Sequence, residues 1–196
     1  ADTFIRGGHA VTFLHGVMSK TPDLVCECIP YTSSQNLDNL LKEQLSSQHF
    51  DVVIHLAAVS DFLPIKMDTD GGSVDLPFVG KLSSGSEKPS LHFRRNSKLV
   101  ENIKSYSQNK ELQLVAFKLT SGSNQARQID SVEKLFKNVT CDFVVANDMD
   151  DRTNDTQTSF HLFERTDSAH VSPVTSSSEL ALLLLDKLTQ NKENSL

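Results

Sequence analysis

Apolar positions along the chain alternate between two patterns, short β-branched runs and longer stretches with three- to four-residue spacing. Ala10-Val-Thr-Phe-Leu14, Asp51-Val-Val-Ile-His-Leu-Ala-Ala58, Leu112 to Leu119 and Asp142 to Ala146 are continuous enough in apolar character to read as buried strands. Between them, Leu37, Leu40, Leu41 and Leu45 line one face of a helix from about Asn36 to Ser47. Further helices are predicted from Ser97 to about Tyr106 and from about Asn124 to Asn138. A short strand is expected at Ser90 to Arg94. Phe160 to Glu164 and His170 to Pro173 suggest a closing hairpin, and Ser176 to about Gln190 a last amphipathic helix capped by Ser176 or Ser177. Repeated strand-helix units imply an α/β three-layer sandwich, a mainly parallel sheet with helices on both faces.

Two stretches depart from this rhythm. Ala1 to Gly8 reads as the last turns of a helix closed by glycine, leading straight into the Ala10 strand. A helix ahead of a buried strand predicts an amino-terminal strand-helix segment before Ala1. Residues 62 to 90 carry Pro64, Gly71, Gly72, Pro77, Gly80, Gly85 and Pro89 and are expected to form a long loop. Loops of that length usually serve as lids or partner-binding arms. Phe62, Leu63, Ile65, Leu76, Phe78 and Val79 make this one too apolar for a solvated tether, so part of it is expected to pack against a second protomer.

In an open α/β sheet, ligands bind beyond the carboxyl ends of the strands. Three strand ends offer polar groups straight after an apolar run. Ala57 and Ala58 leave the backbone open to a flat base or a ribose, with Asp61 placed to accept hydrogen bonds. The second end is Phe117-Lys-Leu-Thr-Ser-Gly122 and the third Ala146-Asn-Asp148. The alternative for each is a polar turn that satisfies strand-end backbone groups. Gly80-Lys-Leu-Ser-Ser-Gly85 adds a cation on a hydroxyl-rich loop; it is not a Walker loop, and no GxGxxG occurs. Lys81 therefore acts, if it acts, as a single mobile charge on an anionic group.

Composition narrows the classes. The 196 residues suit one well-packed domain, and a net charge of -6 with a pI of about 5.6 argues against nonspecific nucleic-acid or membrane-surface binding. No apolar run is long enough to span a bilayer. Three cysteines, two of them as Cys26-Glu-Cys28, do not make a disulfide framework; two residues apart on a strand they point the same way without bridging comfortably. A reducing compartment, the cytoplasm, is the expectation. Despite seven histidines there is no CxxC, no HExxH and no His pair at helical spacing, so no metal ligand set is assigned and the cysteines read as structural or surface groups. The Asn138 and Asn154 sequons read as chance matches.

Taken in order, Ala57-Ala-Val-Ser-Asp-Phe62, Lys81-Leu-Ser-Ser-Gly85, Val115-Ala-Phe-Lys-Leu119 and Val144-Val-Ala-Asn-Asp148 resemble phosphopantothenoylcysteine synthetase, the ligase family of coenzyme A biosynthesis. Gly8-His-Ala-Val-Thr-Phe-Leu14 and His161-Leu-Phe163 extend the resemblance over nearly the whole chain. It implies a Rossmann-like, homodimeric enzyme that uses CTP or ATP, with Mg2+, to activate the carboxylate of 4'-phosphopantothenate; cysteine then attacks the acyl nucleotidylate. By the same resemblance, Ala57, Ala58 and Asp61 hold base and ribose, Phe117 packs by the base and Asn147 lies at the rim. Lys81 neutralises charge building on the phosphates. Bacterial members often carry a second lysine where Ser83 stands, which leaves CTP against ATP open. The family's glycine-rich first loop and Asn-rich segment are expected ahead of Ala1.

Two other classes compete. An extended short-chain NAD(P)-dependent reductase or sugar-nucleotide epimerase would suit the Asp51 strand equally, and Tyr106-Ser-Gln-Asn-Lys110 matches YxxxK. Tyr106, however, sits near a polar helix end with no serine about a dozen residues upstream. A catalytically inactive nucleotide-binding relative is the third class.

Overall fold

The computed structural model describes residues 1–81, 85, 87–154 and 156–193. They form two compact units, Ala1–Ala57 with Val100–Leu196, and Ala58–Leu99.

In the first unit the chain opens with helix α1 (Asp2–Arg6), then β1 (Thr12–Gly16) and β2 (Glu27–Tyr31), which pair in parallel with Phe13 opposite Cys28. Helix α2 (Ser34–Ser47) begins at a reciprocal cap. Ser33 Oγ accepts from the Asn36 N–H at 3.1 Å, and the Asn36 side chain accepts from the Thr32 N–H at 3.1 Å. Its apolar stripe buries Leu37, Leu41 and Leu45, and β3 (Val52–His55) follows.

The second unit holds β4 (Phe62–Thr69), β5 (Gly72–Asp75) and β6 (Ser90–Arg95), an antiparallel sheet ordered β5-β4-β6. The expected loop over residues 62 to 90 therefore holds two strands, β4 and β5, and the first residue of β6. Pro64 on the central strand sits beside a bulge, where the register shifts between Pro64 and Lys66. Asp70-Gly71 makes the two-residue connection from Thr69 to Gly72, whose φ of 121° is open to glycine. The Ser90 strand stands as expected.

A 3-10 turn (Leu99–Glu101) and the short α3 (Ile103–Tyr106) replace the single helix expected from Ser97. At their junction Ser105 Oγ donates back to the Asn102 carbonyl at 2.6 Å, a bond that competes with continuous helix. Then come β7 (Gln113–Thr120), α4 (Gln125–Asn138), β8 (Phe143–Asp148), the short β9 (Arg152–Thr153) and β10 (Thr156–Gln157), β11 (Phe160–Glu164), β12 (Asp167–Val174) and α5 (Ser177–Glu193). Asn124 caps α4 by accepting from the Arg127 N–H, and Ser176 accepts from the Glu179 N–H ahead of α5. Glu179 in turn accepts from the Thr175 N–H, which completes a capping box.

The main sheet runs β12-β11-β8-β7-β3. Strands β3, β7 and β8 are parallel, and the closing hairpin adds β11 and β12 antiparallel. Consecutive residues of β8, Phe143 to Ala146, are all buried, so both faces of that strand are covered. Phe143 and Val145 pack with Leu180, Leu184 and Leu188 of α5 and with Val115, Phe160 and Leu162. The α/β class, the mainly parallel core and the terminal hairpin with helix follow the sequence pattern. No helix among the described residues is long and apolar enough to cross a membrane.

Candidate functional site

Because β3, β7 and β8 run the same way, their carboxyl ends lie on one rim of the sheet. His55 is level with Ala116, Phe117 with Val145, Leu119 with Asn147 and Thr120 with Asp148. Ala57 lies two residues past His55. Phe117 is half-buried and packs against the apolar core cluster. Asn147 donates from Nδ2 to Gln157 Oε1 at 3.2 Å, so its amide orientation is set by a neighbouring strand. Gln157 also donates to the carbonyls of Asp148, Asp151 and Ser159, fastening β10 to the end of β8.

Asp148 organises this rim. Only 4% exposed, it accepts from the Thr120 hydroxyl at 2.6 Å and from the N–H groups of Gly122, Ser123 and Asp150 at 3.0 to 3.1 Å. The Asp150 N–H, followed by the Thr120 hydroxyl, holds its carboxyl below the usual carboxylate range. Its function is to fix the turn that leads from β7 into α4, where Gly122 has a φ of 60°. Sequence reading placed Asp148 at a strand end without assigning it this task. Beside it lies a polar cavity of about 330 Å3 whose lining includes Gln128, Asp150, Asp151 and His161. Gln157 and the cavity carry no motif that marks them in the sequence.

Asp61 and Lys81 belong to the second unit. The Asp61 carbonyl accepts from the Asn96 N–H at 2.8 Å, and the Asn96 side chain donates to the Ser60 carbonyl at 3.0 Å, which pins the backbone on either side of the carboxylate. The Asp61 carboxylate is exposed and has no partner among the described residues. Lys81 is likewise exposed and without a described partner. Leu82, Ser83 and Ser84 lie outside the described residues, so the position compared with a second lysine in the sequence, Ser83, is among them.

His55, at the end of β3, has its pKa pushed down from 6.5 to about 4 by burial. The unfolded chain takes up this proton as pH falls through about 6.5, and the folded one only near 4. The stability that comes from this difference is thus complete above 6.5 and lost progressively down to about 4. It amounts to at most about 3 kcal/mol. Chemical denaturation of the wild type across that pH range should show the loss, and His55→Gln should flatten it; equal slopes in both proteins would contradict the assignment.

The competing YxxxK reading meets a geometric objection. Tyr106 donates its hydroxyl to Asp38 Oδ1 at 2.9 Å, tying α3 to α2. Burial, with the Asp38 bond second, pushes the phenol up, opposite to what a proton-transferring tyrosine needs.

Comparison with solved structures shows that the fold is shared. The chain superposes on a DNA/pantothenate metabolism flavoprotein from Streptococcus pneumoniae with a TM-score of 0.80 at 23% identity, covering 97% of this chain and 85% of that one. The C-terminal domain of the coenzyme A biosynthesis bifunctional protein CoaBC gives 0.71 at 16% identity, covering 99% and 80%. A Cab2 variant in complex with phosphopantothenate-cysteine gives 0.67 at 13%, covering 98% and 75%. A comparison with curated proteins gave no match. A family model, the DNA/pantothenate metabolism flavoprotein C-terminal domain, matches residues 1–191 and so takes in every strand end described above. The chain belongs to that family, as the ordered motifs of its sequence indicated.

Proposed function

We propose that this protein is the ligase of coenzyme A biosynthesis that joins 4'-phosphopantothenate to cysteine through an acyl nucleotidylate formed from CTP or ATP. The observation that carries the reading is the family match over residues 1–191, which includes all four sequence motifs in order. The phosphopantothenate-cysteine complex of the Cab2 relative supports the substrate pair. Ala57 and Ala58 present backbone rather than side chain to a base, Asp61 accepts from the ribose or base, Phe117 lies by the base and Asn147 at the rim. Lys81 stabilises the negative charge that gathers on the phosphates when the substrate carboxylate attacks. Among the described residues no three His, Cys, Asp or Glu side chains group to hold a metal ion. Magnesium would then be carried in on the triphosphate itself, with no protein ligand assigned to it. When bound, magnesium supplies further charge neutralisation on the phosphates. The cytoplasm is the compartment that fits this metabolism.

The primary test is product formation. The natural protein, given both substrates, magnesium and either nucleotide, should yield phosphopantothenoylcysteine by mass spectrometry, and its absence with both nucleotides would refute the reading. A binding test separates it from the reductase class. CTP or ATP at a hundredfold excess over its dissociation constant should stabilise the fold by about 2.7 kcal/mol, seen as a raised melting temperature. Stabilisation by NADPH alone would contradict the nucleotide assignment.

We also propose a homodimer formed through the second unit. Its sheet places Pro64, Met67, Leu91 and Phe93 on one face by register, with Phe62 opposite Arg95 at the end of the same ladder. Leu91 is 49% exposed, Phe93 55% and Phe62 58%, a concentration of apolar surface that a second copy of the same sheet would cover. Light scattering at micromolar concentration should give twice the protomer mass, and Leu91→Asp with Phe93→Asp should halve it. A monomeric wild type would refute the interface.

A further inference from the structure

The two clustered thiols lie outside every role assigned so far. Cys26 Sγ and Cys28 Sγ stand 3.7 Å apart, Cys28 exposed and Cys26 half-buried. The chain is held on both sides of them. Ahead of Cys26, Asp2 of α1 accepts from the Leu24 N–H at 3.0 Å and the Asp23 N–H at 3.3 Å. After it, Cys28 is fixed in the β1–β2 ladder opposite Phe13. Glu27, between the cysteines, accepts from the Thr12 hydroxyl at 3.0 Å, and strand alternation sends its carboxylate to the other face. The two sulfurs therefore share one side of a strand whose position is set from both ends.

We propose that Cys26 and Cys28 form a preorganised dithiol site for a soft, thiophilic metal or metalloid centre that needs only two sulfur ligands. The separation decides between this and a resting disulfide. An S–S bond requires sulfurs at about 2.05 Å, so the strand would have to distort. Two thiolates on one tetrahedral soft centre with metal–sulfur bonds of about 2.3 Å lie roughly 3.8 Å apart, close to the spacing the fold already provides. Among the described residues no third His, Cys, Asp or Glu joins the two thiols, so the site proposed is a two-sulfur chelate. Burial and the neighbouring Cys28 thiol push the Cys26 thiol up, so at neutral pH Cys26 waits as a thiol rather than as a nucleophilic thiolate.

Phenylarsine oxide is the probe that reads this chemistry. Its arsenic forms two bonds to sulfur, while its oxygen leaves as water with the two thiol protons; no electrons are gained or lost. The wild type should take up one phenylarsenic group, seen by intact mass, and release it to dithiothreitol but not to a monothiol. Because the second sulfur adds its bond within one molecule, Cys26→Ser and Cys28→Ser should each weaken retention by about 10² to 10⁴-fold. Cys141→Ser should retain the group, since Cys141 is fully buried. Circular dichroism checks that the variants fold, and Ellman titration that two thiols are accessible in the wild type. Retention unchanged in Cys28→Ser, or no uptake by a wild type whose two thiols titrate, would overturn the site.

Discussion

Lys81→Ala is expected to lower ligation turnover about a hundred- to a thousandfold while leaving fold and melting temperature nearly unchanged. The lysine is exposed and makes no described contact, so removing it takes nothing from the core. Its value lies in the reaction. As the substrate carboxylate attacks the nucleotide, negative charge concentrates on the departing phosphates, and a cation held there is stronger in the transition state than before it. Loss of one such stabiliser typically costs about 2.7 to 4 kcal/mol of barrier, which sets the expected factor. Asp61→Ala should differ in kind and raise the nucleotide's KM, because the contact proposed for it with base or ribose would be made before the transition state as well as in it. Wild-type turnover by Lys81→Ala would end the role assigned to that lysine.

The largest stability effect is expected at Phe143→Ala. Phe143 is 1% exposed, pairs with Val115 and packs into the leucines of α5. Truncation removes the ring's burial and leaves a cavity that the flanking strands cannot collapse into without disturbing β8, and β8 carries the Asp148 rim. A loss of about 3 to 5 kcal/mol should appear as a lower urea midpoint. A loss under about 1 kcal/mol would mean that the sheet is not the stability core described here.

The parallel core was legible in the sequence because its signals are local. Val52 to His55, Gln113 to Thr120 and Phe143 to Asp148 are apolar runs that end in polar turns, and Ser176 caps the last helix as expected. β4 and β5 were read as loop because Pro64 and a glycine pair punctuate them. Such residues usually mark loops, yet Asp70-Gly71 between apolar residues is also a hairpin signal. β2 went unassigned because Glu27-Cys-Ile-Pro-Tyr31 holds a proline and has no clean alternation. Phe117 and Asn147 on the rim, and Asp61 in the second unit, could be nominated by their places after apolar runs. The clamp on Asp148 could not, since three of its four donors, Thr120, Gly122 and Ser123, are brought to it only by the pairing of β7 with β8.

The central claim is that a nucleotide activates a carboxylate for attack by cysteine, and pyrophosphate release reports that step directly. With 4'-phosphopantothenate, cysteine, magnesium and either CTP or ATP, the natural protein should release pyrophosphate continuously with one of the two nucleotides, and release should fall sharply when phosphopantothenate is left out. No phosphopantothenate-dependent pyrophosphate with either nucleotide would contradict the ligase assignment itself.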